Sequence, residues 1–572
     1  DGFSTWTSCK DVKALIRDRL QLAGVSKVKK LPKQSWAFVY FHSKREREAG
    51  EQTLRATKFK GALLTVAQAT PLDPERFVKR RKLSGGGATS GEAAASSNGG
   101  GGSEGGDGSG SAPFAPLRSV SEVVSPLYLV DYEKQLRHKR RHILKALAVL
   151  PREMARAAKG VTREQQSAFK MPWTDAAWLR EHEGAPCSVA SVLPSPLLSR
   201  YRNKCEFTIG RDADGGVCIG FNLGKGKEGM HVVASPQPVP TVSDEMKLAV
   251  ARAQAFVAAS KLAPFHRDSA SGFWRLLLVR QSFNNVDGSP PSLLLCVVVQ
   301  VAEEGLPRTR VELDGLAAAF SSSPLELPVS LRLCAAFCNG RGETIIDGSS
   351  CGSLVSLIGE PLIYERLNEL TFRISPAAFF QVNTRAAEGL TKLLASLCAV
   401  SSETVLLDVC CGGGTIGLTL ASAVKRVVGI EVCAAAVEDA RVNASLNGIS
   451  NASFIADKAE FALRSVLSSL TASEKEALVA IVDPPRAGLH ADVLKALRGC
   501  LPLRRLIYVS CHAPAFAQNA VALCRPSSKT FPGPPFVPRL AHPVDLFPHT
   551  EHVELVVLLE RDEAMPAAAV EA

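Results

Sequence analysis

The sequence lacks any long run of apolar residues. In a chain of 572 residues, none of the apolar stretches approaches the roughly 20 residues that a helix needs to cross a bilayer, so no membrane helix is predicted. The 15 cysteines form neither a C-x-x-C set for zinc or an iron–sulfur cluster nor a regular disulfide framework. We therefore predict no metal site, and mostly reduced thiols with room for one reactive thiol. Internal repeats are also absent, and the first residue, Asp1, leaves open an upstream targeting segment.

The composition is that of a globular protein with a basic surplus. Apolar residues make up 46% of the chain and charged residues 22%, which is typical of soluble proteins that bury real cores. The length predicts two to four domains. A net charge of +11 suits a polyanionic partner such as nucleic acid, although many basic proteins bind none.

A small α/β module precedes a Gly/Ser-rich linker at 84–112, which has too few large apolar side chains to fold. In the module, 10–22 and 43–56 are predicted helices, and the aromatic and β-branched run 36–41 is a predicted strand. That strand resembles the central strand of an RNA recognition motif, in which two aromatics stack on bases. The resemblance makes Trp36 and Phe38 candidate RNA-binding residues, and an equally open alternative makes them core or protein-contact residues. Little sequence precedes the first predicted helix, so the opening strand of that motif is expected to be truncated or degenerate.

The remainder changes character twice. Residues 128–182 are predicted to be mainly helical, with a basic stretch at 137–142. From about 185 to 365, short strands and a helix near 244–260 predict an α+β domain with an antiparallel sheet. From about 371 onward, buried strands alternate with helices, which predicts a mostly parallel, doubly wound sheet.

A glycine-rich loop follows the first strand of this last region. Gly412, Gly414 and Gly417 fit a G-x-G-x-x-G pattern between a strand and a helix, where glycines allow a sharp turn and close approach of a ligand. Nicotinamide and flavin enzymes use the same pattern. Asp408, four residues before the first glycine, favours S-adenosylmethionine instead. Glu431 ends the next strand and can accept hydrogen bonds from ribose hydroxyls in either class.

Three later strand ends carry polar or reactive side chains. Asp457 ends the third strand, near the expected adenine position, although it equally suits capping of the following helix. Asp483 begins an Asp-Pro-Pro sequence at the sheet edge where ligands bind in such folds. Cys511 ends the fifth strand, one strand from Asp483, and this position favours a function over an inert buried cysteine.

Five segments in order closely resemble the RNA uridine C5-methyltransferases: FFQVN at 379–383, DVCCGGGTIGL, IVDPPRAGL, YVSC and DLFPHTEHVELVVLLER. The resemblance covers about 371–561 strongly and the region from Tyr201 more loosely. It implies a class I methyltransferase fold, S-adenosyl-L-methionine as cofactor and tRNA as partner. The N-terminal module and the missing cysteine cluster favour the eukaryotic branch that methylates the T-loop uridine of cytosolic tRNA. That branch implies a cytoplasmic location, with a nuclear fraction possible in principle. Oligomeric state stays open.

The resemblance also implies three domains and a linker. They are an RNA recognition motif-like domain at 1–72, a basic and Gly/Ser-rich linker at 73–127, a helical segment with a central α+β RNA-binding domain at 128–370, and the S-adenosylmethionine-dependent methyltransferase domain at 371–562.

Individual roles follow from the same resemblance. Cys511 is the expected nucleophile and Glu554 the expected general base, with Glu551 and Glu560 as competing carboxylates. Asp483 is expected to orient uracil or cofactor. The cofactor residues implied are Gln381, Asp408, Cys410, Gly412, Gly414, Thr415, Glu431, Asp457 and Asp483. Arg202, Asn203 and Lys204 are candidate RNA contacts, and a charged strand edge is the alternative for each.

Other functions stay open at this point. An RNA cytosine C5-methyltransferase uses the same thiolate addition, but it usually places its nucleophile after a proline, and here Ser510 precedes Cys511. An RNA-binding or tRNA-folding protein with a secondary or vestigial site is another possibility. An NAD-dependent oxidoreductase fits only the glycine loop.

Overall fold

The computed structural model describes residues 7–20, 22, 25–29, 37–41, 44–59, 62–66, 119–224, 231–267, 269–283, 290–300, 306–322, 329–338 and 354–561. The chain divides into two compact units, 1–112 and 113–572. In the parts described, no helix is long and apolar enough to cross a membrane, and no three His, Cys, Asp or Glu side chains form a group that could hold a metal ion.

The first unit is small and built on two short hairpins. Its elements are α1 (Cys9–Ala14, continued by a π-helical turn at Leu15–Arg19), β1 (Val25–Lys29), β2 (Phe38–Phe41), α2 (Lys44–Arg55), β3 (Lys58–Phe59) and β4 (Ala62–Leu63). Strands β1 and β2 are antiparallel, and so are β3 and β4. The helices and β2 lie near their predicted positions, whereas β1 was not predicted. Phe38 lies on β2 and is partly exposed, but Trp36 and the linker at 84–112 lie outside the described residues. The RNA recognition motif-like assignment stays a prediction.

The second unit holds all the remaining elements. Its helices are α3 (Val120–Val124), α4 (Tyr132–Leu147), α5 (Val149–Ala158), α6 (Arg163–Gln166), α7 (Ala176–Glu181), α8 (Asp244–Ala259), α9 (Leu306–Ser321), α10 (Thr384–Cys398), α11 (Thr415–Leu420), α12 (Ala434–Leu446), α13 (Ala459–Ser469), α14 (Ala472–Glu476), α15 (Ala491–Gly499) and α16 (Ala513–Cys524). Its strands are β5 (Ser188–Val189), β6 (Lys204–Arg211), β7 (Val217–Asn222), β8 (Val233–Ala234), β9 (Trp274–Gln281), β10 (Ser292–Gln300), β11 (Ser330–Cys338), β12 (Val355–Ile358), β13 (Ile363–Leu367), β14 (Leu370–Ile374), β15 (Val405–Val409), β16 (Arg426–Glu431), β17 (Ala452–Ala456), β18 (Leu478–Val482), β19 (Arg505–Ser510), β20 (Val537–Val544) and β21 (Glu554–Glu560).

The central sheet has seven strands in the order β12-β11-β10-β9-β6-β7-β8. Neighbouring strands are antiparallel, as predicted, except that β10 and β11 are parallel. A parallel pair needs a long crossover connection, and α9, which the sequence pattern did not predict, lies in that connection. Helices α8 and α9 pack on one face of this sheet through an apolar cluster that includes Met246, Leu293 and Leu316.

The second sheet has eight strands in the order β17-β16-β15-β18-β19-β21-β20-β5. Strands β15 to β19 are all parallel, and β21 runs antiparallel between β19 and β20. All five residues of β15 and all five of β18 are buried, as expected for strands covered on both faces. The predicted doubly wound, mostly parallel sheet is thereby confirmed. Its strand order reverses between β15 and β18, and ligands bind at such a switch point.

Helices from the segment before the central sheet pack on this doubly wound sheet. Ile143 and Leu150, from α4 and α5, share one buried cluster with Phe516 of α16 and Leu506 of β19. Strand β5 also extends the sheet edge by pairing with β20. The segment at 128–189 therefore supplies helices that cover one face of the doubly wound sheet and one strand at its edge. The other strands of that sheet all lie beyond residue 400.

Candidate active site

The glycine loop turns sharply at the end of β15. Cys410, Gly412 and Gly414 have φ angles of 64°, 54° and 78°, a left-handed conformation that glycine adopts without strain. Glu431, at the end of β16, accepts a hydrogen bond from the Gly412 N–H at 3.1 Å. The loop is thus shaped by backbone conformation and by the carboxylate that the sequence pattern assigned to ribose.

Asp408 lies beneath this loop. It is fully buried, and its Oδ2 accepts a hydrogen bond from the Gly417 N–H at 2.8 Å. A Cβ added to Gly417 would lie 2.8 Å from that same oxygen, which is closer than carbon and oxygen atoms pack. Asp408 and Gly417 therefore fix the entry of the chain into α11.

A cavity of about 810 Å³ opens beside the loop, within the roughly 300–1,000 Å³ of typical ligand sites. Most of the sequence-predicted residues line it: Gln381, Cys410, Gly412, Thr415, Glu431, Asp457, Asp483, Cys511 and Glu554. Asp408 and Gly414 do not, and they act on its shape instead. A Cβ on Gly412 would meet no atom within 4 Å, so a side chain there would enter space that a ligand can use. This cradle, with the Glu431 carboxylate beside it, fits a nucleoside cofactor such as S-adenosylmethionine.

The cavity also gathers Asp483, Cys511 and Glu554 from three adjacent strands. Asp483 follows β18, and its N–H donates to the Val409 carbonyl at 3.1 Å. Cys511 follows β19 and is partly exposed. Ser510 pairs with Leu555 in the antiparallel ladder between β19 and β21. Glu554, the first residue of β21, therefore lies across the ladder from Cys511.

Burial dominates the electrostatics of these groups. Glu554 is 2% exposed, and burial together with the Asp483 carboxylate raises its pKa well above the usual value. Burial raises the pKa of Asp483 to about 7. The pKa of Cys511 is raised by burial and then by Glu554 and Asp483, while the Arg486 guanidinium opposes the shift. Burial and the two carboxylates thus disfavour the Cys511 thiolate, and Arg486 favours it.

Arg486 is a site residue that the sequence reasoning missed. It lines the cavity and is the cation whose charge favours the Cys511 thiolate. Its place directly after Asp-Pro-Pro was the available signal, because that turn leads into the same sheet edge. Asn519 of α16 holds the turn by accepting a hydrogen bond from the Leu489 N–H at 2.7 Å.

The predicted RNA contacts at 202–204 differ in their surroundings. Asn203 is 3% exposed, and its side-chain amide donates to the Gln381 carbonyl at 2.7 Å and to Thr384 Oγ1 at 3.0 Å. This buried position argues against the expected RNA contact and assigns Asn203 to holding the Gln381 segment. Lys204 forms an ion pair with Glu206 at 2.8 Å, whereas Arg202 lines the cavity.

The other cavity residues have simpler surroundings. Asp457 is exposed, and its Oδ1 accepts the Lys458 N–H at 2.7 Å. Glu431 Oε1 accepts the Cys433 N–H at 3.0 Å. Of the competing carboxylates, Glu551 is exposed and Glu560 is ion-paired to Arg505 at 2.6 Å, at the far end of β21.

Comparison with known proteins identifies relatives over most of the chain. The family model described as tRNA (Uracil-5-)-methyltransferase matches residues 362–562. The human tRNA (uracil-5-)-methyltransferase homolog A is 36% identical over 92% of this chain and 77% of its own length. The mouse homolog B protein is 35% identical over 77% of this chain and 85% of its own length.

A solved structure shares the fold. It is the Pyrococcus abyssi tRNA (uracil-54, C5)-methyltransferase in complex with S-adenosyl-L-homocysteine, with a TM-score of 0.50 and 23% identity. The match covers 78% of this chain and 86% of that chain. At 23% identity the likeness concerns the fold alone.

Proposed function

This chain belongs to the tRNA (uracil-5-)-methyltransferase family, and we propose that it methylates C5 of the T-loop uridine, with Cys511 as nucleophile and Glu554 as general base. The family membership makes it an S-adenosylmethionine-dependent tRNA methyltransferase. The target position and the residue roles are the parts we propose.

One observation carries the assignment of roles. The glycine loop that suits the cofactor and the group formed by Cys511, Asp483 and Glu554 line one cavity. A methyl donor and an attacking thiol must meet on a single pyrimidine ring, so a shared cavity is what the chemistry requires. A reduced and partly exposed cysteine at the carboxyl edge of the sheet meets that requirement, whereas a fully buried cysteine would not.

The cofactor supplies an electrophilic methyl group when it is bound. The Cys511 thiolate forms a bond from Sγ to C6 of uracil, and this addition makes C5 a nucleophile. C5 takes up the methyl group, whose bonding electrons return to the donor sulfur, so that C5 then carries both the methyl group and its proton. Glu554 then removes the C5 proton, and the electrons of that C–H bond restore the C5–C6 double bond as the thiolate leaves. The raised pKa of the Glu554 carboxyl makes its carboxylate a stronger base than an exposed glutamate. Asp483, with a pKa of about 7, is proposed to orient uracil through hydrogen bonds.

Activation of the thiol needs a cation, because burial and two carboxylates disfavour the thiolate. Arg486 provides the positive charge. We propose that it also approaches the RNA backbone, since it is exposed at the cavity wall and guanidinium groups bind phosphate in a bidentate manner.

The target uridine of a folded tRNA must leave its stack to reach this cavity, at a cost of a few kcal/mol. We propose that Arg202 at the cavity wall contributes phosphate contacts that offset this cost. A contribution from Trp36 and Phe38 in the first unit, and a cytoplasmic location, remain proposals from the resemblance. Cell fractionation tests the location.

A mechanism-based adduct tests the roles. In tRNA transcribed with 5-fluorouridine, fluorine replaces the proton that Glu554 would remove, so the protein should remain covalently attached through Cys511 after methyl transfer. We expect a cofactor-dependent adduct that is stable to denaturation, with the RNA mapped to the peptide containing Cys511. Cys411→Ala is a matched control, because Cys411 lines the same cavity. An adduct that survives Cys511→Ala, or that forms without cofactor at the same yield, contradicts the proposal.

A further inference from the structure

The loop at 545–553 is held by a helix that lies about four hundred residues earlier in the chain. Lys139 of α4 donates from Nζ to Asp545 Oδ1 at 2.6 Å and to the Phe547 carbonyl at 2.9 Å. Both side chains of this ion pair are 0% exposed. In the sequence Lys139 belongs to the basic stretch at 137–142, and in the structure its side chain is buried in the protein.

Two further side chains of α4 reach the same loop. The Tyr132 hydroxyl donates to Asp545 Oδ2 at 3.1 Å, and Gln135 Oε1 accepts the His549 N–H at 2.8 Å. Tyr132, Gln135 and Lys139 are three and four residues apart, so they share one face of the helix. Gln135 and Lys139 on this face are buried, and Tyr132 is partly buried. Most contacts of the face go to this loop or to the turn before α4, and the Tyr132 hydroxyl also accepts a hydrogen bond from the Ser195 N–H at 2.8 Å.

The loop leads directly to the proposed base. Val544 and Glu554 are register partners at the end of the β20–β21 ladder, so the loop at 545–553 connects them. Phe547 of the loop lines the cavity together with Glu554. Because Glu554 is the first residue of β21, the path of the loop determines where its carboxylate meets the cavity.

An ion pair buried from water stabilises a fold no better than well-packed apolar residues of similar volume. The pair does fix the geometry of the loop, because hydrogen bonds are directional. Lys139 and Tyr132 donate to the two carboxylate oxygens of Asp545, and Lys139 also donates to the Phe547 carbonyl. The polar face of α4 therefore defines the geometry of the loop more than it adds stability.

We propose that Lys139, together with Tyr132 and Gln135, is a positioning residue for proton removal, holding the loop at 545–553 so that the Glu554 carboxylate meets the C5 proton. This inference rests on the proposed function, because it takes Glu554 as the base. On this proposal, α4 supports catalysis by positioning the loop that leads to Glu554, and it does so from outside the cavity.

The test uses the full chain with Lys139→Met and separates the two halves of the reaction. Adduct formation with 5-fluorouridine tRNA requires Cys511 and methyl transfer but no proton removal. We expect Lys139→Met to form that adduct at a rate within about twofold of the unchanged protein, since addition depends on the placement of Cys511 and Lys139 does not line the cavity that holds it. Turnover on ordinary tRNA should fall by about tenfold or more, the order expected when a base is displaced by a fraction of an ångström. With tRNA deuterated at uracil C5, the isotope effect on turnover should rise, because proton removal becomes slower relative to other steps.

Two variants keep the outcome decisive. Lys145→Met alters an exposed lysine on the same helix and should match the unchanged protein in every assay. If Lys139→Met does not fold, Tyr132→Phe removes one hydroxyl and keeps the ring, and it should show the same pattern to a smaller degree. Equal losses in adduct formation and turnover, or an unchanged isotope effect, would overturn the inference. Failure of the unchanged protein to form the adduct would instead refute the proposed function.

Discussion

Replacing Glu554 by glutamine isolates the step that the account assigns to it. The two side chains have nearly the same volume, and Glu554 Oε1 finds no hydrogen-bond partner among the residues that the structure describes. The substitution therefore breaks no protein contact of that oxygen. It also removes a negative charge that raises the pKa of Cys511, so addition of the thiol to uracil should be no slower than before.

The expected loss is confined to proton removal. A positioned general base contributes about 10²- to 10⁴-fold to a rate, and turnover of Glu554→Gln should fall within that range. Because the thiol leaves only after the C5 proton does, the methylated adduct should accumulate on ordinary uridine tRNA, with no fluorine present.

The assay is a denaturing gel with labelled tRNA, read as bound RNA per protein over time. Glu554→Gln should approach one bound tRNA for each active site, after a single round of methyl transfer. Glu551→Gln is the matched control, because Glu551 is the exposed competing carboxylate in the same motif. Turnover of Glu554→Gln close to that of the unchanged protein, or adduct accumulation with Glu551→Gln, would refute the assignment of the base.

Three other outcomes follow from the site. The pKa of Cys511 is raised and the thiolate is the reactive form, so the rate of Cys511 alkylation by iodoacetamide should increase about tenfold per pH unit around neutral pH. Arg486→Met should slow this alkylation at each pH. An equal or faster rate in Arg486→Met would count against the role of Arg486. Gly417→Ala places a Cβ 2.8 Å from Asp408 Oδ2, and overpacking of this kind costs about 1–3 kcal/mol. The affinity for S-adenosylmethionine, measured by calorimetry, should therefore fall about tenfold or more. Unchanged affinity would show that the glycine loop accommodates the added methyl group. Asn203→Ala removes two buried hydrogen bonds to the Gln381 segment. This loss of about 1–3 kcal/mol should raise the dissociation constant of the cofactor without altering Cys511 alkylation, and unchanged affinity would show that Asn203 does not hold the Gln381 segment for the cofactor.

The sequence predicted the doubly wound sheet because buried parallel strands leave a clear pattern. The apolar runs ending at Asp408, Glu431, Asp483 and Cys511 each became a strand of that sheet. Carboxyl ends of neighbouring parallel strands share one edge, so the convergence of Glu431, Asp483 and Cys511 on one cavity followed from local patterns alone.

Other features depend on long-range contacts that no local pattern encodes. The role of α4 is one, since the same basic stretch contains exposed Arg137 and fully buried Lys139. The role of Asn203 is a second example. It lies in a charged segment at the start of a strand, and nothing in that segment indicates that its amide donates a hydrogen bond to the Gln381 carbonyl. Strand β1 and helix α9 were missed as well. The run VSKVK of β1 is too short and too polar for a strand pattern, and α9 follows a buried strand in a region predicted to form an antiparallel sheet of short strands.

The central claim is that this cavity methylates uridine C5 in tRNA through Cys511, and nucleoside mass spectrometry of tRNA incubated with protein and labelled S-adenosylmethionine tests it most directly. The account predicts labelled 5-methyluridine with the unchanged chain and none with Cys511→Ala. Labelled 5-methylcytidine in its place, or 5-methyluridine that persists with Cys511→Ala, would contradict it.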